Sequence, residues 1–235
     1  MPRKIPPNRF DRLIRNATAV FTAQGYRLTQ MSGIAEAVGV SKATLYLYVE
    51  SKDVLLWLCL KHGDSREPIQ QPDTLPVPTP PAGRIAEEIA MHIRDTARFH
   101  VLPEALKKPR ADDIHQELYA VLDELYTLLE ANCQVVRMLD RCSDHPELGP
   151  LWHDRVRSPA RGDMARYIES RMRAGQLRQC EHPRLASRIA LETVATWAMH
   201  IKWDRAPEPF EPTSTKAAVI EQICHSLLVN NQGAS

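Results

Sequence analysis

From Ile114 to Leu139 the chain sets Ile114, Leu118, Val121, Leu125, Leu128, Asn132, Val135 and Leu139 alternately four and three residues apart. That spacing keeps returning to one side of a 3.6-residue helix, so it predicts a helix from Asp112 to about Arg141 with one stripe facing a core. Asn132 is its only polar member. Nearly every other segment repeats its apolar residues three and four apart, and no long alternating run suggests a strand. The fold class expected is therefore all-α, with about nine helices.

The same reading places a first helix over Asn8 to Gln24, stopped by Gly25, then short helices over Met31–Val38, Lys42–Val49 and Lys52–His62. Six prolines stand in the fourteen residues from Pro68 to Pro81, a density that forbids a regular helix and reads as a stiff spacer. Beyond it the helical period resumes over Ala82–Val101. It breaks at Pro103 and Pro109, and returns over Asp112–Arg141, Leu148–Ala174, Pro183–Asp204 and Thr215–Val229. The organisation expected is a small helical domain over 1–62, a proline-rich linker over 63–83 and a larger helical domain over 84–235.

Composition narrows the class further. With 43% apolar residues in 235, the chain can bury a core of its own. No window reaches 18 apolar residues, which excludes a membrane span. Met1–Phe10 is basic but has no apolar stretch behind it, so no secretory leader is expected and the cytoplasm is the expected compartment. Five cysteines, an odd number without a C-x-x-C pair, predict reduced thiols and no structural metal. No cofactor is expected.

The net charge of +1 hides an asymmetry. Residues 1–62 hold nine Lys/Arg and four acids, a balance of +5, while the remainder stands at −4. A basic first quarter on a slightly acidic body suits an end that meets a polyanion, although an ordinary solvated charge distribution would look the same on this count alone.

The informative stretch is Thr29 to Lys52, TQMSGIAEAVGVSKATLYLYVESK. Ile34, Ala35 and Val38 form one face of a short helix, Gly39 supplies a left-handed turn, and Ser41 is placed to cap the next helix. Leu45 and Val49 face back to the core, leaving Lys42, Ala43, Thr44, Tyr46 and Tyr48 on or near the outer face. Tyrosines two apart lie on different sides of a helix, so at least one must face out. An exposed helix of this kind fits the major groove, with Thr44 and Tyr46 against bases and Ser41 against a phosphate. Lys42, Tyr48 and Lys52 would reach the backbone.

The pattern of Thr29, Ile34-Ala35, Gly39-Val40-Ser41, Thr44-Leu45-Tyr46, Tyr48, Ser51-Lys52 and Leu55 resembles the DNA-binding domain of the TetR family of bacterial transcriptional regulators. The resemblance covers roughly Asn8 to Leu56. It implies a helix-turn-helix domain followed by a helical effector-binding and dimerisation domain, in a ligand-responsive repressor and not an enzyme. Thr29, Gln30, Ser41, Lys42, Ala43, Thr44, Tyr46, Tyr48 and Lys52 are the DNA-binding candidates. Ala43 stands where many members have glycine, Val49 where phenylalanine is usual, and Ser32-Gly33 where Arg-Asp is frequent.

The resemblance also implies a palindromic double-stranded operator, which requires two reading heads about 34 Å apart, hence a homodimer. Trp197, Ile201, Ile223 and Leu227 on the last two helices are the expected interface. Phe99, Tyr119, Tyr126, Asn132 and Trp152 are candidates for the pocket of a small-molecule effector. Two other readings stay open: a protein-interaction module using the same shape without DNA, and an enzyme. The pairs Cys142/His145 and Cys180/His182 invite the latter but lack a second pair at metal-ligand spacing.

Overall fold

The computed structural model describes residues 8–229. Arg3 and Lys4, which contribute to the basic first quarter, lie outside the described residues. Among the described residues every regular element is helical, apart from isolated bridges pairing Val49 with Val77 and Leu177 with Leu228. None of these helices is long and apolar enough to cross a membrane. The chain divides into two compact units, one formed by the residues through Thr96 together with Asn132–Arg155, the other by Ala97–Ala131 and Val156 onward.

In the first unit α1 (Arg9–Leu28) packs on α2 (Met31–Val38), α4 (Lys52–His62) and α8 (Cys133–Arg141). Phe10, Leu13, Ile14, Ala17 and Phe21 recur at helical spacing and are all buried, giving α1 one broad apolar face. The apolar run of α4 is covered on nearly every side, since Val54, Leu55, Leu56, Leu58, Cys59 and Leu60 are all buried. That is why it shows almost no polar face: besides α1 it packs on α5 (Arg84–Thr96) and α8. Helical dihedrals of α1 break at Gly25 (φ 77°, ψ 176°), the residue expected to end the helix.

The proline-rich segment runs along this first unit. Arg15 donates to the carbonyl oxygens of Ser65 and Glu67, and Asp11 accepts the Ile69 N–H at 3.0 Å. Further on, Val77 N–H donates to Tyr48 O at 2.8 Å and Glu50 N–H to Val77 O at 3.1 Å, while Glu50 takes the Thr79 N–H at 2.8 Å. Prolines carry no N–H of their own. The non-proline residues between them therefore make the attachments, and Ile69 and Val77 are buried.

The 4,3 stripe runs through two helices, not the single one its period predicts. α7 (Ile114–Ala131) ends before Asn132, whose dihedrals (φ −112°, ψ 24°) separate it from α8. Upstream of the break Leu118, Val121 and Leu125 are buried in the second unit; downstream Val135 and Leu139 are buried in the first. The new helix start at α8 is satisfied by Asp64, whose carboxylate accepts the N–H groups of Gln134 and Val135, both at 2.9 Å. A cap supplied from so far upstream leaves no mark in the local pattern. The helix expected from Leu148 is likewise interrupted: α9 (Leu148–Pro150) leads into a π-helical turn over Leu151–Arg157.

In the second unit α7 packs on α11 (Pro183–Ala198) and α12 (Pro212–Leu227), and α10 (Ser158–Arg173) on α11 and α6 (Val101–Leu106). The Arg171 side chain is 0% exposed. Its guanidinium is satisfied by Glu117 Oε1 at 2.7 Å, Ala105 O at 2.7 Å, Lys108 O at 2.9 Å and Ser170 Oγ at 3.3 Å. A buried cation survives only with such a full set of partners, and this one ties the end of α6 to α7 and α10.

Candidate nucleic-acid interface

Ile34, Ala35 and Val38 bury one face of α2, and the helix ends in a Schellman turn. Gly39 sits at φ 77°, where a side chain is disfavoured, with its N–H on Glu36 O at 3.0 Å and the Val40 N–H on Ala35 O at 2.9 Å. Two residues later Ser41 caps α3 (Lys42–Tyr46), its Oγ accepting the Thr44 N–H at 3.0 Å. Turn and cap together aim α3 while leaving its outer side uncovered.

Around α3 Leu45 (0% exposed) points inward, and Ser41, Lys42, Ala43 and Tyr46 are open to solvent, with Thr44 half-buried. Gln30, just ahead of α2, is also exposed. Three of the nine candidates sit elsewhere. Tyr48 is 2% exposed and stacks with Phe10, ring centroids 6.4 Å apart, because i and i+3 put it on the same side as Leu45. Thr29 is buried and spends its hydroxyl on Gly25 O at 2.6 Å. Lys52 Nζ donates to Tyr26 O at 3.0 Å and Thr29 O at 3.1 Å and lies 3.9 Å from the centroid of the Tyr26 ring, so its charge serves the C-terminal carbonyls of α1. One exposed side chain escaped the sequence reading: Leu47, whose signal is its place four residues after Ala43.

Residues 13–57, which span this whole arrangement, match the family model described as bacterial regulatory proteins, tetR family. This amino-terminal segment is a TetR-type DNA-binding domain. The chain thus carries an amino-terminal DNA-binding helix-turn-helix domain. No curated protein matches the chain significantly. Among solved structures, the ketosteroid transcriptional regulator KstR2 of Mycobacterium tuberculosis superposes with a TM-score of 0.57 at 14% identity, over 97% of this chain and 98% of that one. SCO3833 of Streptomyces coelicolor A3, a TetR regulator family member, gives 0.54 at 20% identity, with 92% and 91% covered. AibR, in complex with isovaleryl coenzyme A and operator DNA, gives 0.51 at 14% identity, with 91% and 97% covered. These likenesses are of fold.

Behind the helix-turn-helix, α1, α4 and the turn after α8 share a polar cluster. The Tyr26 hydroxyl donates to Asp53, and the His145 ring meets Tyr26 edge-on with centroids 4.6 Å apart. His145 Nε2 stands 3.8 Å from Asp53 Oδ1, while Nδ1 accepts the N–H groups of Glu147 and Leu148 at 3.2 and 3.3 Å. An accepting Nδ1 requires the neutral ring, and burial lowers the pKa of His145 accordingly. Cys142 is buried nearby and its thiol is pushed up to about 12, so it stays protonated. Among the described residues no three His, Cys, Asp or Glu side chains are arranged to hold a metal ion.

The five effector candidates are divided between the two units. Asn132 and Trp152 belong to the first unit, where Asn132 donates to Thr96 O at 3.4 Å and Trp152 Nε1 to Asp140 Oδ1 at 2.7 Å. Phe99, Tyr119 and Tyr126 belong to the second, with the Tyr126 hydroxyl on Trp197 O at 3.2 Å. The single helix expected to carry Asn132 together with Tyr119 and Tyr126 is the one that breaks at Asn132. A groove of about 520 Å³ does open in the second unit, between α10 and α11, lined by Arg161, Arg166, Arg184, Arg188, Glu169 and Leu191. Of the interface candidates, Ile223 (5% exposed) and Leu227 (7%) are buried within the unit itself. Trp197 and Ile201 are half-exposed, and Trp197 meets the exposed Phe210 edge-on at 5.9 Å.

Proposed function

We propose that this regulator binds a palindromic operator as a homodimer and that a small-molecule effector releases it, making it a ligand-responsive repressor. The observation that carries the reading is the capped, turn-aimed α3, which buries Leu45 and presents Lys42, Ala43 and Tyr46 to solvent. A helix held this way can enter the major groove without rearrangement, its amino end against phosphate.

The dimer is supported by the surface of α11 and α12. Between them runs an apolar groove of about 280 Å³ lined by Thr193, Trp197, Phe210, Ala218 and Val219. Leu185 and Ile189, one turn apart on α11, are 54% and 59% exposed. A second copy of the chain would cover these residues, as two-fold pairing of amphipathic helices does in bundles.

The arginine-lined groove suits an anionic effector. Its arginines are held by carboxylates in partly exposed pairs, Arg161 and Arg188 on Glu192 and Arg184 on Glu169. Exposed pairs contribute only about 0–1 kcal/mol, so a bidentate anion can replace them at little cost. AibR, of the same fold, holds isovaleryl coenzyme A, which makes acyl-coenzyme A thioesters the first class to try.

The test is capture of fragments of the source genome on the full-length protein, with its mass measured by sedimentation. Enrichment of a palindrome by a dimer is the expected result. A monomer, or a pool with nothing enriched, overturns the reading.

A further inference from the structure

Leu47 is 66% exposed, directly after Tyr46 at 39%. A lone exposed leucine is unremarkable on most surfaces, but this one has a particular place. α3 ends at Tyr46 and Leu47 follows it as the C-cap; Leu45 (0% exposed) and Tyr48 (2%) mark the inward side, and Ala43 and Leu47, four residues apart, both face away from it. Lys42 and Tyr46 flank that pair on one side and Thr44 on the other. An apolar pair, Ala43 and Leu47, therefore stands among the outward side chains of α3 and its C-cap, with Tyr46 beside it.

Neither alanine nor leucine has a side-chain hydrogen-bonding group, which limits what the pair can distinguish. Base edges in the major groove display donors, acceptors and one apolar group, the C5 methyl of thymine. Burying that methyl against Leu47 removes apolar surface from water on both partners, whereas a cytosine amino group or a guanine carbonyl oxygen in the same place would lose its hydrogen bonds to water.

We infer that Leu47, with Ala43 beside it, reads a thymine methyl group in the operator and so sets sequence preference there. The inference rests on the DNA-binding reading above and adds the base and the group recognised. Because Leu47 lies outside the core, its replacement leaves the fold intact.

The experiment selects duplexes from a random pool with the full-length protein. It then replaces each thymine of the selected site in turn with deoxyuridine, which differs only by the methyl group, and measures affinity by fluorescence anisotropy. At one thymine position or more, affinity should fall about three- to fivefold, the factor expected for one buried methyl. Leu47→Ala, melting at the wild-type temperature, should bind the thymine and uracil duplexes equally at that position, and Leu47→Met should keep the difference. Indifference of the wild type to every deoxyuridine overturns the inference, as does a Leu47→Ala protein that still discriminates. A pool that enriches no duplex at all overturns the DNA-binding reading itself.

Discussion

A β-carbon built on Gly25 would stand 2.5 Å from the carbonyl oxygen of Arg141, closer than any real contact. The same two segments are tied by the Arg141 guanidinium, which donates to Ala23 O at 2.7 Å. Gly25 also holds φ 77° and ψ 176°, a region open essentially to glycine alone. Gly25→Ala should therefore cost about 3 kcal/mol or more, from strain and from separating α1 and α8. Chemical denaturation measures it, and a loss below about 0.5 kcal/mol, an ordinary surface effect, would contradict the close approach.

Lys42 and Lys52 should separate in their effects. Lys42 is exposed at the start of α3, so Lys42→Ala should lower the slope of log affinity against log salt by about one while leaving stability unchanged. Lys52 is engaged with the carbonyls of Tyr26 and Thr29, so Lys52→Met should destabilise by about 1–2 kcal/mol and leave the salt slope alone. Titrations at several salt concentrations, paired with urea melts, distinguish the two; a reduced slope for Lys52→Met would return that residue to the DNA contacts.

His145 makes stability fall toward acid. Burial holds its pKa below the ordinary value, so the folded chain refuses a proton that the unfolded chain accepts. The contribution is complete above about pH 6.5, the unfolded value, and is lost as pH drops from there through the lower folded value. His62 and His92 are also lowered by burial and add in the same direction. The urea midpoint should decrease between pH 7 and 5, and His145→Gln should make that decrease shallower. An identical pH slope in the variant would exclude His145 as a contributor.

In the second unit, Arg171→Met should be among the most damaging single changes. It strands the carboxylate of Glu117 (17% exposed) and the carbonyl oxygens of Ala105 and Lys108 without their buried donor. Breaking one side of such a pair costs about 3–5 kcal/mol, and adding Glu117→Gln should recover part of it because the uncompensated charge is gone. Denaturation of the single and double variants gives the coupling directly. Additive losses would mean that the two side chains do not act as a pair.

The helix-turn-helix was legible because its determinants are local. The Gly39 turn, the Ser41 cap and the inward Leu45 depend on residues within a few positions of one another, and the structure places each where its spacing predicts. The same local logic misled at Tyr48, which is buried, and did not show the carbonyl partners of Lys52. Periodicity marks which side of a helix faces in, but Tyr48 needs Phe10 beside it, and Lys52 needs the end of α1, to show that they are occupied. Leu47 was missed because an apolar residue in an apolar-rich stretch reads as core until its surroundings are known.

By itself the sequence determined that the chain is helical, where most helices begin, and that one short helix is capped after a glycine turn, since hydrogen-bonded turns, caps and 3.6-residue periods act over a few residues. Only the tertiary structure decided that the long stripe divides at Asn132 between two cores, that the proline-rich segment is tied along the first unit, and that Ile223 and Leu227 are spent inside the second. Those outcomes depend on partners such as Asp64 at α8 and Arg15 and Asp11 along the proline-rich segment, tens of residues away in the chain, and no local pattern encodes a distant partner's position.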